Sequence, residues 1–203
     1  MKRWLRRIAS VAVGFALIIS TVQAAVAETA RYDVDPDHST IGFSVDHMVV
    51  SKTRGQFMEY TGFIEMDPDA KTVKAIEATI KTPSITTNHP KRDAHLKSPE
   101  FFDAEKYPTM TYKMKSYHKN GDGYTAVGDL TVHGVTKEIT LMGNFNGVNK
   151  DPWGNTRAGF TAEGKVNRKD FGVNWNKALD NGGVIVGNEV LIKLDVECIK
   201  AKQ

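Results

Sequence analysis

Alternation of polar and apolar residues dominates this chain from residue 39 to its C-terminal end. Segments with a period of two cover 39–48, 54–67, 73–82, 109–117, 123–134, 137–148, 157–167 and 190–201, and a short one covers 29–34. Turn residues such as "DPDA", "HGVT" and "DPWGN" separate them. Because successive side chains of a strand point to opposite faces, this pattern predicts an all-β domain of eight or nine antiparallel strands.

The alternation leaves two arrangements of these strands open, an antiparallel sandwich and an up-and-down barrel. Glycines inside the strand patterns favour the barrel, because glycine relieves bending where a sheet curls. These glycines are Gly42, Gly62, Gly128, Gly143, Gly159 and Gly164. Periodicity alone does not separate a barrel filled with side chains from a hollow one.

Residues 91–110 break the alternation. Pro90 and Pro99 each follow a residue that can cap a helix, which predicts two short helices over about 90–97 and 99–103. A second irregular segment, "RKDFG" followed by "NWNKALDNGG", precedes the last strand. We therefore expect short helices that cover one part of the sheet.

The first 27 residues have the features of a secretory signal peptide. They begin with the basic "MKRWLRR", continue with an uncharged apolar stretch and end with the small residues of "AVA". This pattern predicts cleavage after Ala27 and leaves residues 28–203 as a single domain. An uncleaved membrane anchor is the alternative, although the apolar stretch is short for a membrane span.

Removal of the predicted signal peptide changes the charge of the chain. Four of the 27 basic residues lie in it and none of the 24 acidic ones, so 27 − 4 = 23 basic residues remain and the net charge becomes −1. Such a balance does not indicate a nucleic-acid partner. Cys198 is the only cysteine, so the fold uses no internal disulfide, and its place on the apolar side of the last strand predicts burial.

Common catalytic signatures are absent from the sequence. It has no Gly-x-Ser-x-Gly, no phosphate-binding glycine loop with lysine, no His-Glu-x-x-His and no Cys-x-x-Cys. A metal-assisted hydrolase using His38, His47 and His95 is the enzymatic alternative, which requires histidines from different segments to converge. The run from Asp35 to Ser39 is more simply a turn that binds its own backbone. We expect no catalytic residues, no metal and no cofactor.

Five groups of residues occur in an order and spacing that resembles a known family. They are "YDVDPDHSTIGFSVDHM" with the following "RGQF", then "RDAHLKSPEFFDAEKYPTMTY", "GDLTVHGVTKEITL", "NRKDFGV" and "VGNEVLIKL". Together with a signal peptide, these groups look like the YceI-like family of bacterial periplasmic polyisoprenoid-binding proteins. The resemblance covers essentially all of residues 30–199.

The resemblance implies an extended, lipocalin-like eight-stranded antiparallel β-barrel with a long apolar lumen. It also implies a periplasmic binding or carrier protein that holds a polyisoprenoid, an isoprenoid quinone or a related long-chain lipid. A quinone-presenting redox accessory protein is a further alternative. Transient contact with the inner membrane would accompany such a role, and the sequence leaves the choice between monomer and homodimer open.

Candidate residues for the apolar lumen share the inward faces of the strands or lie in the cover. They are Phe43, Val45, Ile64, Ile76, Ile80, Phe101, Phe102, Met110, Tyr112, Leu130, Leu141, Phe160 and Leu194. Ordinary core packing explains each of them as well.

Candidate residues for a polar head group are Arg92, His95 and Arg168, because cationic side chains hydrogen-bond phosphate or quinone oxygens. Two structural roles compete with this hypothesis. Arg92 and Asp93 would pair with each other or cap the helix, and Arg168 would be one partner of an ion pair.

Overall fold

The computed structural model describes residues 29–121, 123–178 and 183–202, so the signal peptide predicted for residues 1–27 lies outside the described residues and stays a prediction. The strands are β1 (Ala30–Val34), β2 (Thr40–His47), β3 (Ser51–Phe57), β4 (Tyr60–Asp67), β5 (Thr72–Lys81), β6 (Ile85–Thr86), β7 (Thr109–Asn120), β8 (Gly123–Val132), β9 (Val135–Lys150), β10 (Thr156–Asn167) and β11 (Val186–Lys200). The helix α1 (Pro90–Lys97) follows β6, and 3₁₀ turns lie at Pro36–His38, Thr82–Ser84 and Arg168–Phe171. Within the described residues, no helix has the length and apolar character needed to cross a membrane.

The strands form a closed antiparallel barrel. Hydrogen bonds link them in the order β1, β4, β5, β7, β8, β9, β10, β11, and β11 pairs again with β1. β2 continues along β11 beyond β1, β3 pairs with β2, and β6 pairs with β3. The eleven segments therefore make eight barrel strands, three of which are interrupted, and the predicted lipocalin-like antiparallel barrel is confirmed.

The strand predicted over 54–67 is interrupted because a side chain captures its backbone. The Ser84 hydroxyl oxygen accepts hydrogen bonds from the backbone N–H of Met58, at 3.1 Å, and of the next residue, at 3.0 Å. These bonds occur where β3, which pairs with β2 and β6, gives way to β4, which pairs with β1 and β5, and the alternation shifts there by one residue. As a result Met58 is exposed, whereas Phe57 and Tyr60 are both buried.

The helix predicted over 90–97 is α1 and is confirmed, whereas the helix predicted over 99–103 is wrong. Consecutive turns replace the second helix. The backbone N–H groups of Phe101 and Asp103 both donate to the Ser98 carbonyl, at 3.0 and 2.9 Å. Asp103 has φ of 45°, a left-handed conformation that an α-helix does not contain.

The two ends of the barrel differ in their connections. The end that we call the mouth carries the β2–β3 hairpin, the β8–β9 hairpin, α1 and the segment between β10 and β11. The opposite end, the closed end, carries the β4–β5, β7–β8 and β9–β10 turns.

Aromatic side chains pack inside the barrel near the closed end. The rings of Tyr117 and Tyr124 stack with their centroids 5.5 Å apart, and Tyr32 is 1% exposed. β9 approaches β10 closely because residue 143 is glycine: a Cβ atom on Gly143 would lie 1.9 Å from the carbonyl oxygen of Thr161. Buried aromatic rings and a close approach of two strands therefore narrow this end of the barrel.

Cys198 lies in the core on β11 and has no exposed surface. It forms no disulfide, and burial raises the pKa of its thiol to about 12. The prediction of a small buried cysteine is confirmed, and packing with sheet hydrogen bonds holds the fold.

Arg157 ties neighbouring segments together near the closed end. Its Nη1 donates to Asp35 Oδ2 at 2.6 Å and to a carboxylate oxygen of Glu197, and its Nε donates to Asp151 Oδ2 at 2.8 Å. Burial alone would raise the pKa values of Asp35 and Asp151. Hydrogen bonds, including those from Arg157, outweigh burial and hold both pKa values below the ordinary value of 3.8.

We expect Arg157→Gln to lower the thermal midpoint at neutral pH and to have a smaller effect at about pH 3. A carboxyl group with a depressed folded-state pKa adds stability above its unfolded pKa and loses it as the pH falls through the folded pKa. Thermal unfolding of wild type and variant at both pH values measures the difference. An equally large loss in acid would show that the contribution of Arg157 is not ionic.

Candidate functional site

The mouth half of the barrel encloses a cavity of about 410 Å³. Inward-facing side chains of the strands form its walls, and residues from α1, the turns after it and the segment 171–175 cover it. Its surface is almost entirely apolar. A volume of this size lies within the usual range of about 300–1,000 Å³ for ligand pockets.

The predicted lumen residues all lie in the wall of this cavity. They are Phe43, Val45, Ile64, Ile76, Ile80, Phe101, Phe102, Met110, Tyr112, Leu130, Leu141, Phe160 and Leu194. The barrel is therefore hollow where these side chains meet. Their contact with a ligand stays a prediction.

Sequence reasoning missed the part of the wall that comes from the irregular segment before β11. Trp175, Val173 and Ile185 line the cavity there. No periodicity marks these residues, so their position could not be read from the pattern. Ile192 also lines the cavity, and alternation with Leu194 on β11 could have found it.

Small side chains leave the interior of the barrel open. Ala78 on β5, Ala126 on β8 and Ala162 on β10 line the cavity at positions that face inward. Larger residues at such positions would extend into the space that the cavity occupies. The placement of alanine therefore sets where the hollow part begins.

An aromatic cluster closes over the cavity beside α1. The ring of His95 meets the rings of Phe101 and Trp175 edge-on, each with a centroid distance of 4.9 Å, and those two rings are 5.0 Å apart. On its outer side His95 Nε2 lies 2.5 Å from Glu100 Oε2. The insertion after β6 thus provides an apolar cover with a polar outer edge.

Arg92 and Asp93 bind the loop before α1 rather than each other. Arg92 Nε donates to Thr87 Oγ1 at 2.7 Å and its Nη2 donates to the Thr87 carbonyl at 3.0 Å. The Asp93 carboxylate accepts from the Thr87 N–H at 2.8 Å and from the Thr86 hydroxyl at 3.1 Å. Burial would raise the pKa of Asp93, but these hydrogen bonds outweigh it and lower that pKa. Arg92 Nη1 has no hydrogen-bond partner in the described part of the chain, so it is available to a ligand at the mouth.

Arg168 holds the mouth together from inside. Its Nε donates to the Gly187 carbonyl and its Nη1 to the carbonyls of Val173 and Trp175, all at 2.8 Å, and Nη2 donates to the Val186 carbonyl at 3.4 Å. It forms no ion pair with any described residue, so the ion-pair alternative is wrong. Burial lowers the pKa of this guanidinium. It lines the cavity and already donates four hydrogen bonds to backbone carbonyls, and its contact with a head group stays a prediction.

The structure does not bring His38, His47 and His95 together. His47 and His95 line the cavity, whereas His38 Nδ1 lies 2.9 Å from Asp35 Oδ2. In the described ranges, the group with metal-type spacing is Asp35, His38 and Glu197, whose ligand atoms lie within 4.8 Å of one another. The guanidinium of Arg157 already binds the carboxylates of Asp35 and Glu197. The histidine arrangement that the hydrolase alternative requires is therefore not formed.

Comparisons with known proteins agree with this geometry. A family model described as YceI-like domain matches residues 32–198. The chain belongs to the YceI-like family. Protein YceI of Escherichia coli is 38% identical over 159 residues, which cover 78% of this chain and 83% of that protein.

Solved structures share the fold. The YceI protein of Campylobacter jejuni is 32% identical with a TM-score of 0.67, over 77% of this chain and 90% of that one. A polyisoprenoid binding domain from Saccharophagus degradans has a TM-score of 0.64 at 13% identity, over 86% of this chain and 100% of that one. The second likeness concerns the fold alone.

The Tyr112 hydroxyl is a buried polar group of the cavity wall. It has no hydrogen-bond partner among the described residues. It lies over Gly128, where a Cβ atom would be 2.7 Å from the hydroxyl oxygen. Burial raises the pKa of Tyr112 to about 12, so the hydroxyl is protonated at neutral pH.

We expect Tyr112→Phe to leave the free energy of unfolding of the ligand-free protein unchanged or to raise it by about 1 kcal/mol. A buried polar group without a partner costs about 1–3 kcal/mol, and the substitution removes that group. Urea unfolding measures the change. A loss of more than about 1 kcal/mol would show that the hydroxyl has a stabilising partner.

Proposed function

We propose that this protein is a periplasmic binding protein that holds the hydrocarbon tail of an isoprenoid lipid, a polyisoprenoid or an isoprenoid quinone, in the barrel cavity. The observation that carries the proposal is the apolar cavity of about 410 Å³ inside the barrel. The polyisoprenoid-binding description of the Saccharophagus degradans domain supports a lipid ligand in this fold. The predicted signal peptide supports the periplasmic location.

Burial of the tail dominates the affinity. Each methylene transferred from water to the cavity is worth about 0.8 kcal/mol, so two five-carbon units contribute about 8 kcal/mol before costs. Association and ordering take back several kcal/mol. A partly exposed ionic contact adds roughly 0–1 kcal/mol. The cavity wall thus sets the strength of binding, and the mouth sets the orientation of the lipid.

Polar groups at the mouth suit the head of such a lipid. Arg92 Nη1 is free to donate, and His95 lies beside it on α1 in the cavity wall. A phosphate or quinone oxygen placed there accepts hydrogen bonds while the tail extends toward Tyr112. The described residues offer binding groups at this place, and the role we propose is binding or carriage rather than catalysis.

The first test is recovery and uptake of lipid. Mature protein purified without detergent should release a long-chain lipid into organic solvent, identified by mass spectrometry, and ligand-free protein should take up polyprenol or ubiquinone from detergent micelles. Preference for one of the two separates polyisoprenoid from quinone binding. The absence of bound lipid together with no uptake of either compound would reject the proposal.

Ala162→Phe should reduce the uptake of polyprenol from micelles by about tenfold or more, because an aromatic ring would occupy the cavity in place of the tail. Glu163→Phe on the same strand is the matched control. Glu163 faces outward and its ion pair with Lys193, at 3.1 Å on the surface, contributes little to stability. Equal uptake by the two variants would place the lipid outside the barrel.

Phe101→Ala combined with Phe102→Ala should speed the release of bound lipid more than it lowers the thermal midpoint. Both rings line the cavity, and Phe101 packs against His95 and Trp175 in the cover. Stopped-flow transfer of a fluorescent polyprenol to acceptor vesicles measures release. Unchanged release with a large loss of stability would assign the two rings to ordinary core packing.

A further inference from the structure

We propose that the tip of the β2–β3 hairpin, residues Met48, Val49 and Val50, docks this protein on a phospholipid surface when lipid enters or leaves the cavity. The proposal rests on the lipid-binding function given above. It assigns a partner, a phospholipid surface, and a docking element to the same site. We call these three residues the apolar tip.

The apolar tip is exposed to an extent that folding does not explain. Val49 and Val50 are 81% and 82% exposed, and Met48 is 41% exposed. Single exposed apolar residues are ordinary on protein surfaces, but three in succession at the end of a hairpin are not. Val184 is also exposed, and it precedes Ile185, whose carbonyl accepts a hydrogen bond from the Met48 N–H at 2.8 Å.

The backbone conformation of Met48 and Val49 is one in which Asn-Gly is more stable. Met48 and Val49 have φ of 53° and 61°, and the Val50 N–H donates to the His47 carbonyl at 3.2 Å. Two successive positive φ angles are the signature of a type I′ turn, in which Asn-Gly is strongly preferred. A β-branched residue such as Val49 is an outlier in this conformation. The chain therefore keeps apolar side chains at a position where stability favours polar and small ones.

The apolar tip stands at the mouth of the cavity. His47, which precedes it, lines the cavity, as do Thr53 on β3 and Ile185 on the neighbouring segment. Arg168 fixes that segment through its bonds to the carbonyls of Val186 and Gly187. A phospholipid surface in contact with the apolar tip would therefore lie next to this end of the cavity wall.

Basic side chains surround the apolar tip. Lys52 and Arg54 follow it on β3, point to the same face as Val50 and are exposed, and Lys177 is exposed on the neighbouring segment. Asp46 is the acidic residue opposite them and pairs with Lys52. Apolar side chains flanked by cations are the combination that binds anionic phospholipid interfaces.

An exposed tryptophan at the opposite end supplies the matched control. Trp153 in the β9–β10 turn is 80% exposed, so it offers an apolar side chain as accessible as Val49. It lies at the closed end and does not line the cavity. If exposure alone caused membrane contact, Trp153 would serve as well as the apolar tip.

The experiment compares wild type, Met48→Asn combined with Val49→Gly, Val50→Ser and Trp153→Ala. Vesicles of phosphatidylethanolamine and phosphatidylglycerol that contain a fluorescent polyprenol are the donor, and detergent micelles with the same polyprenol are the control donor. Flotation measures vesicle binding, and thermal unfolding measures stability. We expect the double variant to extract polyprenol from vesicles about tenfold more slowly and to float less.

The same double variant should take up polyprenol from micelles at the wild-type rate and unfold at an equal or higher temperature, since Asn-Gly relieves the turn. Val50→Ser, whose backbone needs no positive φ, should also slow extraction from vesicles. Trp153→Ala should behave as wild type. This set of results separates docking from folding.

Three outcomes overturn the docking proposal. The first is extraction of polyprenol from vesicles by the double variant at the wild-type rate. The second is an equal loss of extraction rate in Trp153→Ala. The third is a wild-type homodimer that the double variant converts to monomer in sedimentation, without any change in flotation. Each leaves uptake from micelles intact. Failure of the wild type and all variants to take up polyprenol from micelles would instead reject the lipid-binding function. In that case flotation alone would test whether the apolar tip binds vesicles.

Discussion

Closure of the sheet, through the pairing of β1 with β11, is the constraint on which the rest of this structure depends. An open sheet of this length would leave two edges of unpaired N–H and C=O groups, and a closed ring leaves none. Once eight strands close, the inward side chains decide whether the interior is filled. Here tyrosine rings stack near the closed end, and alanines form part of the cavity wall. One topology thus contains a narrowed end and a cavity.

Alternation and turn residues predicted the strands, and α1 was predicted from its capping pattern. The interruption at Met58 could not be predicted, because its cause is the Ser84 side chain, a contact between segments 26 residues apart. The helix expected over 99–103 failed for a similar reason, since the Ser98 carbonyl receives two N–H groups in a non-helical turn. Local patterns predict local structure and miss the places where a distant or competing acceptor captures the backbone.

Alternation along the strands correctly predicted which residues face the interior of the barrel. It did not indicate whether that interior contains a cavity. Its volume depends on which side chains meet across the barrel, and that is a three-dimensional property. Trp175 was missed because the segment that carries it has no regular period. The two arginines at the mouth show the same limit. Both were head-group candidates from their chemistry, but only the hydrogen bonds distinguish them. Arg92 Nη1 has no partner among the described residues, whereas all three nitrogen atoms of Arg168 donate to backbone carbonyls.

The burial of Cys198 makes the thiol a reporter of how the barrel opens. A thiolate is the reactive form, and a pKa of about 12 leaves almost none of it in the folded state. Alkylating reagents therefore modify this position only in molecules in which β11 has separated from its neighbours. Since the chain has one cysteine, the rate of modification follows the opening of the wall at this position, where Cys198 pairs with Val34 across the contact that closes the ring and with Ala158 on β10. The alkylation rate of the native cysteine thus reports how often the barrel wall opens, without the need to introduce another cysteine.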